Sequence, residues 1–282
     1  MAEKRVKKPA RTILVPTDFS DKANRAIDYA ALIAGKSKAR IVLLHVIELP
    51  HGTRIQQDKI RSELEKVSKP ALKEAIIRAK SGLPGGKGKV ESMMRTGAPV
   101  TTIITVANEL NAELICMGNR ITSGLRRFVF DTTTSGVIDL TSCPVLATTS
   151  KLPEVKLDRL LFATDFKEND LNVLKKATVL AKEFKSSLHV LHVKTTTTFD
   201  EQLRCIGFEA LTRKAVSYKN LHFKQLQNND VEEGLEKAIA EIYPHLVILI
   251  HQNRSFLDAV FGSNVVDDLV YRAEVPVLVY PV

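Results

Sequence analysis

Short apolar runs alternate along this chain with longer segments in which apolar residues recur every three or four positions. Ile41-Val42-Leu43-Leu44-His45-Val46 is nearly continuous in apolar character, as expected of a strand covered on both faces. Ala23, Ala26, Ile27, Ala30 and Ala34 recur at helical spacing, and Gly35 is expected to stop that helix. The pattern predicts strands at 12–16, 40–47, 89–95, 113–118 and 144–148. Between them it predicts a long charged helix over 54–80, ended by Ser81-Gly82-Leu83-Pro84-Gly85-Gly86. A further helix carries Val100, Ile103, Ile104, Ala107 and Leu110, and a last one covers about 132–141. Strands near 159–164, 187–193, 220–227, 245–250 and 276–280 then repeat the order, around a shortened helix near 200–218. Such alternation implies parallel sheets with crossover helices.

The residues themselves repeat. Val15-Pro16-Thr17-Asp18-Phe19 returns as Phe162-Ala163-Thr164-Asp165-Phe166, and Leu44-His45-Val46 as Leu191-His192-Val193, both at an offset of 147. Ala112-Glu113-Leu114-Ile115 returns as Pro244-His245-Leu246-Val247, and Cys143-Pro144-Val145-Leu146 as Val275-Pro276-Val277-Leu278, both at an offset of 132. Four ordered matches mean two copies of one unit of roughly 140 residues. The reading is therefore two domains, 1–150 and 151–282, joined by the short polar stretch 148–154. The terminal strands Val145-Leu146-Ala147 and Val277-Leu278-Val279 would be exposed edges if unpaired. They are expected to lie against each other, so that the copies pair within the chain.

Composition narrows the classes. The net charge of +9 is concentrated in the first copy, with 24 Lys and Arg against 14 Asp and Glu over residues 1–150. Part of that excess lies in the basic start, Lys4, Arg5, Lys7, Lys8 and Arg11, which no signal-like apolar region follows. No aromatic-studded basic strand is present to stack bases, which speaks against a nucleic-acid partner. No apolar run reaches the roughly 18 residues that suggest a membrane span. Cys116, Cys143 and Cys205 are odd in number and lack metal-type spacing, and Cys116 and Cys143, in or beside apolar strand-like runs, read as buried thiols, giving a cytoplasmic expectation.

Ligands of open α/β sheets collect beyond the carboxyl ends of the strands. Here those ends carry Asp18, His45 and Val46, Gly118 and Arg120 in the first copy, and Asp165, His192 and Val193 in the second. Asp18 could accept hydrogen bonds from a ribose or adenine edge, or cap the helix beginning near Ser20. The equivalence of His45 and His192 favours structural service through a backbone hydrogen bond. No nucleophile elbow, Walker-type loop or paired carboxylate motif appears, and no histidine spacing suggests zinc.

Val15-Pro16-Thr17-Asp18-Phe19-Ser20, the Leu-Leu-His-Val strand, Gly97-Ala98-Pro99, the Met117-Gly118 strand end and Cys143-Pro144-Val145-Leu146 together resemble the universal stress protein family. The second copy shares the Thr-Asp-Phe turn, the Leu-His-Val strand and the Pro-Val-Leu strand, but lacks the Gly-Ala-Pro and Met-Gly features. The resemblance implies two five-stranded parallel-sheet α/β sandwich domains in tandem, of the adenine nucleotide alpha hydrolase-like kind. It also implies pairing through the last strand, and in some members the binding of ATP.

The ATP-binding branch has Gly, two residues, Gly, nine residues, then Gly followed by Ser or Thr. Such glycines let backbone N–H groups approach phosphates, and the last pair opens a helix whose start favours anions. The first copy keeps Gly118 but has Ile121 and Asp131 at the other glycine positions, with Thr132 following and Arg120, Arg126 and Arg127 nearby. The second keeps Gly262, Ser263 and Asn264, near Arg254 and Asn253, but has no upstream glycine. Neither copy has the full cradle. The closing Gly-Ser tilts the sequence reading toward the second copy as the residual anion site. The leading expectation is a non-catalytic, ligand-sensing or interaction module of the stress response, with a small phosphate-bearing ligand as partner. The alternative is an adenine-nucleotide-binding protein with at most slow ATP hydrolysis in one copy. The sequence leaves open whether two chains pair further.

Overall fold

The computed structural model describes residues 11–50, 52–119, 132–148, 154–167, 169–196, 198–251 and 275–282. The first copy runs β1 (Thr12–Pro16), α1 (Asp21–Ser37), β2 (Arg40–Ile47), α2 (Arg54–Ser81), a short 3-10 turn (Pro84–Gly86), β3 (Val90–Thr96), α3 (Pro99–Glu109), β4 (Leu114–Gly118), α4 (Thr132–Leu140) and β5 (Val145–Thr148). The second runs β6 (Arg159–Ala163), α5 (Asp170–Phe184), β7 (Ser187–Lys194), α6 (Phe199–Ala215), β8 (Leu221–Gln227), α7 (Val231–Ile242), β9 (Leu246–His251) and β10 (Val277–Pro281). The predicted order of elements is the observed one, with ends moved by a few residues.

All ten strands form one sheet, in the order β3-β2-β1-β4-β5-β10-β9-β6-β7-β8. Read from either edge, that order visits equivalent strands of the two copies, so the halves are related by a pseudo-two-fold axis at the centre. The join is the predicted one: β5 and β10 pair antiparallel, with Val277 opposite Ala147, Leu278 opposite Leu146 and Val279 opposite Val145. The other pairings are parallel. Each terminal strand thus hides the other's edge, which removes a template for wrong association.

Alternate strand residues feed two cores, one on each face of the sheet. Ile13, Val15, Ile41 and Leu43 join Leu160, Phe162 and Leu188 on the face covered by α1, α2, α5 and α6. Leu14, Val42 and Leu44 join Leu161, Leu191 and Val247 on the face covered by α3, α4 and α7. Both cores cross the β5–β10 join, so apolar burial welds the copies together.

One expectation fails. Gly35 lies inside α1, which continues to Ser37 and ends where Lys38 adopts the left-handed conformation, φ 56°. The reason for glycine is tertiary: a Cβ there would stand 2.6 Å from Cδ of Pro84, in the 3-10 turn after α2. Gly97-Ala98-Pro99 does lead into α3, with φ 154° at Gly97 and Pro99 in the first turn. Its missing N–H costs nothing there.

Candidate functional site

The turn after β1 is built from its own side chains. Thr17 Oγ1 accepts the Phe19 amide at 3.0 Å, and Asp18 Oδ1 accepts the Ser20 amide at 3.0 Å and the Ser20 hydroxyl at 2.5 Å. Ser20, not Asp18, is the N-cap of α1, its hydroxyl accepting from the Ala23 amide. The capping expectation for Asp18 is thereby corrected: the carboxylate orders the cap without being it. Burial works against the Asp18 charge, but the hydroxyl and amide of Ser20, helped by Lys22, outweigh it and hold the carboxyl below its usual range.

Phe19 adopts φ 65° in this turn, and its counterpart Phe166 adopts φ 62°. A non-glycine residue held there costs on the order of 1–3 kcal/mol and persists only where its surroundings over-determine it. Here they do. The Phe19 ring lies 4.5 Å from the His45 ring, and the Phe166 ring 4.2 Å from the His192 ring. Each histidine in turn ties its strand to the turn: His45 Nδ1 meets the Thr17 carbonyl at 2.9 Å, and His192 Nδ1 meets the Thr164 carbonyl at 2.8 Å. A carbonyl only accepts, so Nδ1 donates in both. The expected structural service of these histidines is what the geometry shows.

The copies diverge beyond that shared frame. His45 Nε2 pairs with the Ser68 hydroxyl of α2 at 3.0 Å. His192 Nε2 instead meets Glu201 Oε1 of α6 at 3.2 Å, while Thr196 donates to Glu201 Oε2 at 2.7 Å. Burial disfavours the Glu201 charge, but Thr196 and His192 outweigh it and hold the carboxyl below its ordinary range. A depressed carboxyl contributes stability above its unfolded pKa, lost as pH falls through the folded value. Glu201→Gln is therefore expected to cost about 1 kcal/mol at pH 7 and progressively less on acidification, read from urea unfolding at several pH values.

The aspartates after β1 and β6 differ as well. Asp18 is exposed, whereas Asp165 is half-buried and ion-paired with Lys167 Nζ at 2.7 Å. Beneath that turn lies Asp170, only 1% exposed. Its Oδ2 accepts from Thr164 Oγ1 at 2.6 Å and from the amides of Asp165 and Lys167, both at 3.2 Å, while its Oδ1 has no partner among the described residues. Burial, reinforced by the Asp165 charge and opposed by the Thr164 hydrogen bond, pushes the Asp170 pKa up to about 6.

Gly118 ends β4 against the first turn of α1. A Cβ on it would stand 2.5 Å from the Lys22 carbonyl carbon and 2.7 Å from the Ala23 amide nitrogen. Its lack of a side chain thus serves close helix–strand packing. In the second copy Ile250 takes the equivalent place and packs against the α5/α6-side core, and α5 begins two positions later in the repeat than α1. Val46 and Val193 pack against the α3/α7-side core, and a Cβ on Gly234 of α7 would meet Val193 Cγ1 at 2.5 Å. Thr132 is the first residue of α4. Arg120, Ile121, Arg126, Arg127 and Asp131 lie outside the described residues, as do Asn253, Arg254, Gly262, Ser263 and Asn264.

The strand ends therefore bring together Asp18, Val46 and Gly118 on one side of the pseudo-axis, and Asp165 and Val193 on the other. Sequence reasoning missed Ser68, Lys167, Asp170 and Glu201. Lys167 stands where the first copy has Ser20, so aligning the turns residue by residue contained that signal. The loop before α6 supplies Thr196 to Glu201 and Thr198 as the N-cap of α6. Among the described residues, no group of three or more metal-ligating side chains is assembled.

The model of the universal stress protein family matches residues 9–149, half of the chain. The chain belongs to the universal stress protein family. Among curated relatives, universal stress protein YxiE of Bacillus subtilis is 30% identical over 146 residues, covering 48% of this chain and 95% of that protein. Universal stress protein MJ0531 of Methanocaldococcus jannaschii is 26% identical over 136 residues, covering 48% of this chain and 80% of that protein. Both are matched by about half of the chain, as a tandem form requires. A solved universal stress protein from Archaeoglobus fulgidus superposes with a TM-score of 0.78 at 22% identity, over 96% of this chain and 98% of that one. The doubled α/β fold is therefore shared by this family member along its whole length.

Proposed function

We propose that this universal stress protein is a non-catalytic ligand-sensing or interaction module of the stress response. In this reading the strand ends of the first copy receive an adenine nucleotide or another small phosphate-bearing ligand, and the second copy is its closed partner. The observation that carries it is the contrast between the two aspartates: Asp18 is exposed and accepts from Ser20, whereas Asp165 is ion-paired with Lys167 above the buried Asp170 carboxylate. An available carboxylate at the end of β1 can accept from a ribose or adenine edge. For one paired with an ammonium group, that group competes with such an edge. The closing Gly-Ser of the second copy tilts the sequence toward that half, but the described strand ends support the first.

The absence of turnover in this proposal is supported by what the strand ends offer. His45 is held on both sides, by the Thr17 carbonyl and the Ser68 hydroxyl, and this reading takes it as a tie between strand, turn and helix. Cys116 and Cys143 are buried, and burial pushes the Cys143 thiol up to about 12, away from nucleophilic use. No described helix is long and apolar enough to cross a membrane. Free buried thiols support the cytoplasmic placement that we include in the proposal.

The test is direct. Adenine nucleotide co-purifying with the protein is measured by absorbance and mass, and ATP is titrated calorimetrically into three chains. Asp18→Asn is expected to weaken binding about tenfold, the equivalent of about 1.4 kcal/mol, and Asp165→Asn to leave it unchanged. Equal losses in the two variants, or none in Asp18→Asn, would overturn the placement in the first copy. Steady phosphate release from ATP would replace the non-catalytic reading with slow hydrolysis.

A further inference from the structure

Helix α6 is apolar on two opposite faces. Cys205, Phe208 and Thr212 recur at helical spacing and are buried. On the far side Phe199, Leu203 and Ile206 follow the same spacing, 72%, 51% and 66% exposed, and exposed Ala210 continues the stripe. The equivalent helix of the first copy, α2, behaves otherwise. Away from its buried Ser68, Leu72, Ala75 and Ala79 it presents Lys59, Glu63, Lys66 and Lys73, with its exposed apolar residues Ile55, Leu64, Val67 and Ile77 scattered among them. Charge interrupts the exposed apolar residues of α2, whereas α6 gathers Phe199, Leu203 and Ile206 on one side within about two turns.

The arrangement on α6 is self-complementary. Large residues occupy the first half of the stripe, Phe199, Leu203 and Ile206. The small Gly207 and Ala210 follow, and a Cβ added to Gly207 would meet nothing within 4 Å. Charge is split likewise, with Asp200 in the first turn and Arg213 and Lys214 in the last. On a helix, Asp200, Gly207 and Lys214 lie along one flank of the stripe, seven residues apart. A second α6 laid antiparallel, with the two-fold axis at Ile206–Gly207, brings Leu203 over the partner's Ala210 and Ile206 beside the partner's Gly207. On their shared flank, Asp200 then lies one residue, about 1.5 Å of rise, from level with the partner's Lys214, within reach of the long lysine side chain, and symmetry forms that ion pair at both ends.

We infer that this outer face of α6 is the contact through which two copies of the chain pair. The occupant is a second copy because the sizes and charges match the face itself, read in reverse. One helix of this length spans about 25 Å, which presents less than the roughly 800 Å² per partner of a standard stable interface. The pairing is therefore reversible and concentration-dependent.

Sedimentation of the full chain over a concentration series tests it. A monomer–dimer equilibrium is expected, weakened at least tenfold by Ile206→Glu, with circular dichroism checking that the variant stays folded. Asp200→Lys alone and Lys214→Asp alone should each weaken pairing, because each sets like charges across both ends of the dimer. The double variant Asp200→Lys/Lys214→Asp should restore it, since the pairs are re-formed with their signs exchanged. That rescue distinguishes this surface from any other dimer contact. A chain that sediments as a monomer up to about 1 mM, the weak end of measurable association, would overturn the inference. So would a dimer indifferent to Ile206→Glu, or one that the double charge exchange does not restore.

Discussion

Gly118→Val is expected to destabilise the protein by about 3 kcal/mol, the upper range for forcing volume into a packed site. The obstacle is backbone, not a side chain that could turn away: the Lys22 carbonyl carbon and the Ala23 amide nitrogen lie 2.5 and 2.7 Å from the position of the new Cβ. The start of α1 must therefore move, and with it the Ser20 cap and the Asp18 carboxylate that Ser20 holds. Even Gly118→Ala meets the clash at its first carbon. Urea unfolding checks the stability loss. ATP titration of the same variant gives the functional consequence, expected to be a loss at least as large as that of Asp18→Asn. A Gly118→Val chain as stable as the parent would show that α1 shifts freely, removing the packing explanation for this glycine.

Asp170→Ala is expected to cost the second copy about 3 kcal/mol, because three donors lose one shared acceptor: the Thr164 hydroxyl and the Asp165 and Lys167 amides. Asp170→Asn is expected to act in the opposite direction at neutral pH. Its side-chain oxygen can keep all three contacts while the buried charge disappears. The pH dependence follows from a native pKa raised from the ordinary 3.8 to about 6. Over that window the native state holds a proton that the unfolded chain has released, so stability falls as pH rises and levels off above about 6. Asp170→Asn should remove that slope, gaining about 1 kcal/mol at pH 7 once the unpartnered amide hydrogens are counted against it, with no such gain near pH 4. Unfolding midpoints at pH 4, 5, 6 and 7 decide the matter. A parallel loss in both variants at every pH would mean that the carboxylate is ionised and satisfied throughout.

These two positions also mark where local reading stops. The doubling of the chain, the order of strands and helices, the parallel strands within each copy and the join of Val145–Ala147 to Val277–Val279 were all readable from the residues. They follow from short-range regularities: apolar runs for strands covered on both faces, helical spacing between them, and a repeated order that leaves matching edges to be covered. The strand-end position of His45 and His192 was readable for the same reason, since equivalence within a repeat signals a shared structural task.

What only the tertiary structure decided depends on residues far apart in the chain. Gly35 reads as a helix stop until Pro84, from beyond the next helix and strand, is found against it. Gly118 reads as the opening of a phosphate cradle until the first turn of α1, nearly a hundred residues earlier, is seen to need its missing side chain. Ser68 and Glu201 sit in charged helical segments with no local feature to single them out; it is the sheet that brings His45 and His192 to them. The same sheet leaves Asp18 exposed and closes Asp165 beneath Lys167, although the two lie in turns of nearly identical sequence. Periodicity records which face of an element is buried, but not which distant residue meets it there. The chemistry of each strand end is set by that meeting.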